Sequence, residues 1–101
     1  MKIIEFTNKG IYCIPGNFYL DPWRPVDLAV ISHGHGDHAK WGMKKYLCHH
    51  FTKPILQHRI GPDIDVQSLG YNEEITINGV KLSFFPAGHI VGSCQIRLEY
   101  K

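Results

Sequence analysis

Leu28-Ala29-Val30-Ile31-Ser32-His33-Gly34-His35-Gly36-Asp37-His38 is the stretch that decides how this chain is read. Its first four residues form a continuous apolar run, the pattern of a strand buried on both faces. The run stops at Ser32, and the next six residues hold three histidines, one aspartate and two glycines. Gly34 and Gly36 let the backbone turn tightly beneath the side chains, so imidazoles at i and i+2 can converge on one point. Neutral imidazole and carboxylate together are a ligand set for Zn²⁺, Mn²⁺ or Fe²⁺. A catalytic zinc takes about three protein ligands and keeps one position open for water. His33 and His35 therefore leave one metal short of a ligand, and Asp37 with His38 suggests a second metal close by. The competing reading is a histidine-rich surface loop with no metal. It explains neither Asp37 nor the glycines placed after a buried strand.

Outward from that stretch, the chain alternates short strands with turns. Runs rich in β-branched and aromatic residues predict strands over 3–6, 11–14 and 18–20, with Asn8-Lys9-Gly10 and Pro15-Gly16-Asn17 as the turns of an antiparallel meander. Asp21-Pro22-Trp23-Arg24-Pro25 cannot be regular structure, because each proline biases its predecessor away from helix. Beyond the histidine cluster a short helix is expected over 39–45, with Trp41 as its apolar contact, then a brief strand over 46–48. A second helix is expected over 53–60, with Pro54 in its first turn and Gly61-Pro62 ending it. Strands follow over 64–69, 74–77, 81–85 and 94–100. Asn78-Gly79 is the strongest hairpin signal in the chain. The last third also carries Pro86-Ala87-Gly88-His89, a histidine beside glycine just past a predicted strand. Alone, His89 reads as a packed or capping histidine. Beside the cluster, it is the candidate for the missing ligand.

Composition sets the outer bounds. A chain of 101 residues, 44% hydrophobic and 20% charged, makes one folded domain, not a disordered segment. Eleven Lys and Arg against nine Asp and Glu give +2 with no basic run, which neither demands nor forbids a nucleic-acid partner. No apolar stretch approaches bilayer length, and residues 1–6 have no signal-peptide character, so no membrane association and a cytoplasmic location are expected. Cys13, Cys48 and Cys94 are odd in number and widely spaced, which fits reduced, partly buried thiols and not a disulfide framework.

At His33, His35, Asp37 and His38 the chain resembles the metallo-β-lactamase superfamily, whose signature is the HxHxDH loop. Residues 86–93, Pro-Ala-Gly-His-Ile-Val-Gly-Ser, look like the nuclease (β-CASP-like) branch. Residues 19–25 running into 30–35 look more narrowly like the ligase-associated DNA exonucleases, also described as mRNA 3'-end processing factor-like proteins. The resemblance implies an α+β fold: the N-terminal half of an αββα sandwich, with mixed and antiparallel sheet and one or two short helices. It implies two divalent metal ions in the complete fold, zinc before manganese. His33, His35 and His89 would hold the first, and Asp37 and His38 would help hold the second. Asp37 would also position or deprotonate the attacking water. Asp21 would be a hydrogen-bond acceptor that orients the loop, although an aspartate shaping the turn before Pro22 is an equal reading. The implied chemistry is two-metal hydrolysis of a phosphodiester, DNA before RNA, with no side-chain nucleophile. Association with a DNA ligase or helicase is implied by the narrower likeness alone.

The chain also departs from the family pattern. Residues 1–101 match the first half of the domain; the second half and the inserted β-CASP domain have no counterpart in it. The expectation is therefore a nuclease in the longer parent protein, with this chain incomplete and inactive alone. Half a sandwich is expected to expose its inner sheet face and one edge. Two other functions stay open: a non-catalytic metal-binding or structural half-domain that self-associates, and a thioester or lactone hydrolase of the same superfamily. His49 and His50 read as exposed strand-end residues, and His58 as a solvent-facing helix residue. Trp23 and Arg24 read either as a nucleic-acid contact or as a packed Trp beside a salt-bridged Arg. Lys40, Lys44 and Lys45 read as a basic or simply solvated helix face.

Overall fold

The apolar run at 28–31 is a strand between two cores, and the rest of the molecule is arranged around that fact. In the computed structural model, which describes residues 2–34, 39–87 and 94–100, the chain order is nine strands and one helix among the described residues. The elements are β1 (Ile4–Phe6), β2 (Ile11–Cys13), β3 (Phe18–Leu20), β4 (Leu28–Val30), β5 (Lys45–His49), α1 (Lys53–Arg59), β6 (Val66–Leu69), β7 (Glu74–Ile77), β8 (Val80–Pro86) and β9 (Cys94–Glu99). They make an α+β protein of two sheets.

The larger sheet has six strands in the order β1-β2-β3-β4-β5-β6. Its first three strands are the expected antiparallel meander, with Ile4 opposite Cys13 and Ile11 opposite Leu20. From β3 to β6 the pairing is parallel, with Tyr19 opposite Ala29, Ala29 opposite Tyr46 and Tyr46 opposite Val66. Parallel strands need crossovers, and α1 supplies the one between β5 and β6. The smaller sheet is an antiparallel meander, β7-β8-β9. Its β7–β8 turn is Asn78-Gly79 at φ +50° and +84°, the doubly left-handed pair that matches the twist of the flanking strands.

Side-chain alternation then divides the interior in two. Phe18, Val30 and Leu47 on one face of the large sheet meet Val80, Leu82 and Phe84 of the small sheet, all at most 2% exposed. On the other face Ala29, Ile31, Tyr46 and Cys48 pack with Ala39, Met43 and Leu56 of α1. The layers thus run helix, sheet, sheet. The expected exposure of the inner sheet face is corrected here, because three strands from the last third cover it. An open crevice of about 340 Å³ lies along β7, lined by Leu28, Leu47, Gln67 and Ile75 among others.

A second expectation also changes. The described part of 39–45 is irregular, not helical, and Lys45 already belongs to β5. The buried Tyr46 hydroxyl donates to the Lys40 carbonyl (2.8 Å) and accepts from Met43 N–H (3.3 Å), and Gly42 between them takes φ +96°. Those bonds take up a carbonyl and an N–H that a helix would pair internally. No helix among the described residues is long and apolar enough to cross a membrane.

Candidate functional site

Ser32 is the residue through which the two histidine-bearing segments are joined. Asp21, at the end of β3, takes a left-handed φ of +44°, and its N–H donates to the Val30 carbonyl (2.9 Å). That turn aims its carboxylate at the residues leaving β4. Ser32 N–H donates to Asp21 Oδ1 (2.8 Å), and Ser32 Oγ–H donates to Oδ2 (2.6 Å). The Ser32 carbonyl in turn accepts from Cys94 N–H (2.8 Å) and from the Cys94 thiol (3.3 Å). Cys94 opens β9 and stands opposite Pro86, the last residue of β8. The residue before His33, the residue that leads into Ala87, and the residue that follows 88–93 are therefore tied at one place.

A second device holds the chain just beyond His33. Gly34 is buried, and a Cβ there would lie 2.7 Å from Ile55 Cγ2 of α1, inside contact distance. Arg59, at the end of the same helix, donates from Nη1 to the Gly34 carbonyl. α1 follows Thr52 at its N-cap, has Pro54 in its first turn and buries Leu56, and Ile55 and Arg59, four residues apart, share the side that meets the loop.

The thiols here are kept neutral. Burial first, and then the Asp21 carboxylate, push Cys94 up to about 12. Burial, with Cys94 nearby, pushes Cys48 up to about 12 as well. Neither is a thiolate nucleophile at neutral pH. All three cysteines are buried, more deeply than the partial burial expected of them.

Among the sequence-derived candidates, His33 is half-buried directly after Ser32. His35, Asp37, His38 and His89 lie outside the described residues. Among the described residues no group of three or more His, Cys, Asp or Glu side chains is placed to hold a metal. The test of fit is therefore the donor chemistry together with its anchors. His33 is a neutral-capable imidazole donor half-buried at a strand end, and the flanks of both motif segments meet at Ser32.

Several other assignments change. His49 is buried at 3% exposure, stacked on Tyr71 with ring centroids 3.8 Å apart, and its Nδ1 accepts from Phe51 N–H (3.1 Å). Burial, and secondarily His50, lower its pKa. The strand end is wrapped by the β6–β7 connection that carries Tyr71, so it is not open to solvent. His50 is exposed as expected, with Nδ1 at 2.8 Å from Ser68 Oγ, and His58 is exposed on α1. Trp23 is 51% exposed and not packed away, and its Nε1–H and Arg24 Nε–H both donate to the Asn8 carbonyl (2.9 and 3.0 Å). Trp41 is 77% exposed, and the segment that carries it is not the expected helix. Sequence reasoning missed Ser32, Ile55 and Arg59, since only Gly34, needing room, hinted at a close neighbour.

The fold and this joint define an α+β protein of two packed sheets with paired histidine segments at the strand ends. No protein-family model matches the chain. Over 100 aligned residues it is 32% identical to a probable DNA ligase of Opitutus terrae, covering 96% of this chain and 9% of that protein. It is 30% identical over 100 aligned residues to an RNase J-like protein of Methanocaldococcus jannaschii, covering 75% of this chain and 23% of the relative. The chain thus spans less than a quarter of the length of either.

Proposed function

We propose that this chain carries part of the metal centre of a phosphodiester-hydrolysing enzyme, one that acts on nucleic-acid ends as an exonuclease in its full-length form. The observation that carries the reading is the Cys94 N–H bond to the Ser32 carbonyl at 2.8 Å, which fastens the flanks of the His33–His38 and His89 segments together. Two sequence segments with metal-ligand spacing gain that meaning only if they share a place in the fold. Likeness to proteins named as a probable DNA ligase and as RNase J-like supports a nucleic-acid substrate.

In this reading His33, His35 and His89 would hold one divalent ion, zinc or manganese, and Asp37 and His38 would help hold a second. Such ions, when bound, supply a water acidified from ~15.7 toward ~7 and neutralise charge on the phosphoryl oxygens. The protein's own part is positional. Asp21 fixes Ser32 and with it the start of the first ligand segment. Arg59 and Ile55 fix the chain at Gly34 from the helix side. Cys94 keeps its proton and donates to the Ser32 carbonyl, so it serves as a spacer, not as a nucleophile.

Metal stoichiometry by elemental analysis of the purified chain, wild type against His35→Ala, tests the centre. Metal bound by the wild-type chain, at fewer than the two ions of the complete fold and lost in the variant, is the expected result; close to two per chain would mean that a second copy supplies the missing ligands. No bound metal in the wild type overturns it. Release of nucleotides from end-labelled DNA and RNA by the full-length protein, against hydrolysis of thioesters and lactones, tests the substrate class. A second reading, a self-associating non-catalytic half-domain, draws on one observation: β7 is an edge strand beside the open crevice. Light scattering that finds only monomer removes it.

A further inference from the structure

Trp41 is 77% exposed, yet the backbone that carries it is fixed on both sides. The buried Tyr46 hydroxyl holds the Lys40 carbonyl on one side and Met43 N–H on the other. Gly42 lies against Pro25, where an added Cβ would sit 3.4 Å from Pro25 Cγ. Lys44 N–H donates to the Val26 carbonyl (3.0 Å), which joins this loop to the neighbouring strip 23–27. That strip is itself stiff, because Trp23 N–H and Nε1–H and Arg24 Nε–H bond to the carbonyls of Lys9 and Asn8. An indole normally gains burial by packing, and one held outward on a rigid loop is positioned for a flat partner.

Charge narrows the partner. Arg24 and Lys44 are exposed and Lys40 is half-buried on the two strips, 23–27 and 39–45, that are joined beneath Trp41, while Asp27 is the one acidic residue in those strips. An exposed ring on strips richer in basic than in acidic residues matches a polyanion that presents unpaired aromatic faces. Single-stranded nucleic acid has both, whereas a duplex hides its base faces in the stack.

We infer that Trp41, on joined strips that also carry Arg24, Lys40 and Lys44, is a stacking platform for an unpaired base of a single-stranded nucleic acid. This deepens the reading above, since Trp41 follows His38 by three residues. It is tested apart from that reading by binding without hydrolysis. In EDTA, the chain's tryptophan fluorescence is titrated with oligodeoxythymidylate and, in a second arm, oligouridylate, which together separate DNA from RNA. Quenching is expected, and Trp41→Ala is expected to weaken binding about 5- to 100-fold. Trp41→Phe keeps affinity within about threefold, because a ring remains, while the quench falls to what Trp23 reports. Lys44→Ala lowers the slope of log affinity against log salt by about 0.7. Trp41→Ala binding within twofold of wild type overturns the inference, and so does a wild type that binds neither oligonucleotide. Loss of a dimer in Trp41→Ala with oligonucleotide binding intact also overturns it, in favour of a protein contact. Hydrolysis with metal added but no effect of Trp41→Ala on binding sinks the platform alone. Trp41-dependent binding by a chain whose full-length form releases no nucleotides sinks the nuclease reading alone.

Discussion

Asp21 combines a strained backbone with two hydrogen bonds, and the two facts predict different variants. A left-handed φ of +44° is tolerated by Asn and Asp better than by other non-glycine residues. Asp21→Asn keeps that tolerance and one acceptor, whereas Asp21→Ala loses both bonds to Ser32 and keeps the strain. Loss of a charged acceptor is worth about 1.5–3 kcal/mol, and the Ser32 donors are part-buried, so Asp21→Ala should lower stability in urea by about the lower end of that range and Asp21→Asn by less than half of it. Equal effects of the two would mean that the carboxylate does not hold Ser32. His49 makes a prediction in pH. The fold lowers its pKa, so the native state resists a proton that the unfolded chain accepts below about 6.5. Above that pH both states are neutral and the stability is complete; as pH falls below about 6.5 it is progressively lost. His49→Phe keeps a ring on Tyr71 and should flatten this part of the Tm-against-pH curve. An unchanged curve would assign the acid sensitivity elsewhere. The buried state of His49 was not legible in the sequence, because adjacent histidines show alternate faces but not what covers them. Tyr71, which does, is 22 positions away.

At the scale of elements, α1 acts on the loop after β4 through two contacts that differ in kind. Ile55 Cγ2 sits where a Gly34 Cβ would go, while Arg59 holds the Gly34 carbonyl. Gly34→Ala should therefore destabilise by about 1–3 kcal/mol through crowding. Ile55→Ala should recover part of that loss, since it removes the methyl in the way; a double-mutant cycle measured in urea checks the coupling. Additive effects would show that the crowding is relieved by backbone movement instead. The strands and α1 were legible because their periods are local: alternation in 74–77 and 80–86, Pro54 at a helix start, Asn78-Gly79 at a hairpin. The segment 39–45 was not. Its local composition permits a helix, but Tyr46 captures Lys40 and Met43, and Gly42 turns left-handed under Pro25. The Tyr46 side-chain hydrogen bonds and the contact with Pro25 overrode a weak propensity.

Over the whole molecule, the site depends on the packing of two sheets that share no ladder. Val80, Leu82 and Phe84 of the small sheet fill the face made by Phe18, Val30 and Leu47, and β9 reaches Ser32 from the small sheet's side. The histidine motifs were legible as text, but the joint between them was not, because Asp21, Ser32 and Cys94 meet only after the sheets close. A core truncation far from Ser32 should therefore loosen that joint. Leu82 is fully buried, and Leu82→Ala should cost about 2–5 kcal/mol, a large share of the roughly 5–15 kcal/mol that holds a domain of this size. The coupled readout is the Cys94 thiol, which is buried and held at a pKa of about 12 in the native protein. Alkylation at about pH 8, mapped by peptide mass, should be slow for Cys94 in the wild type and faster in Leu82→Ala. Cys13 lies in the same core and calibrates global opening. If Cys94 gains reactivity beyond Cys13, the inter-sheet joint opens before the fold does, and the two histidine segments can separate without unfolding. If both rise together, the sheets and the joint between the motifs form a single cooperative unit.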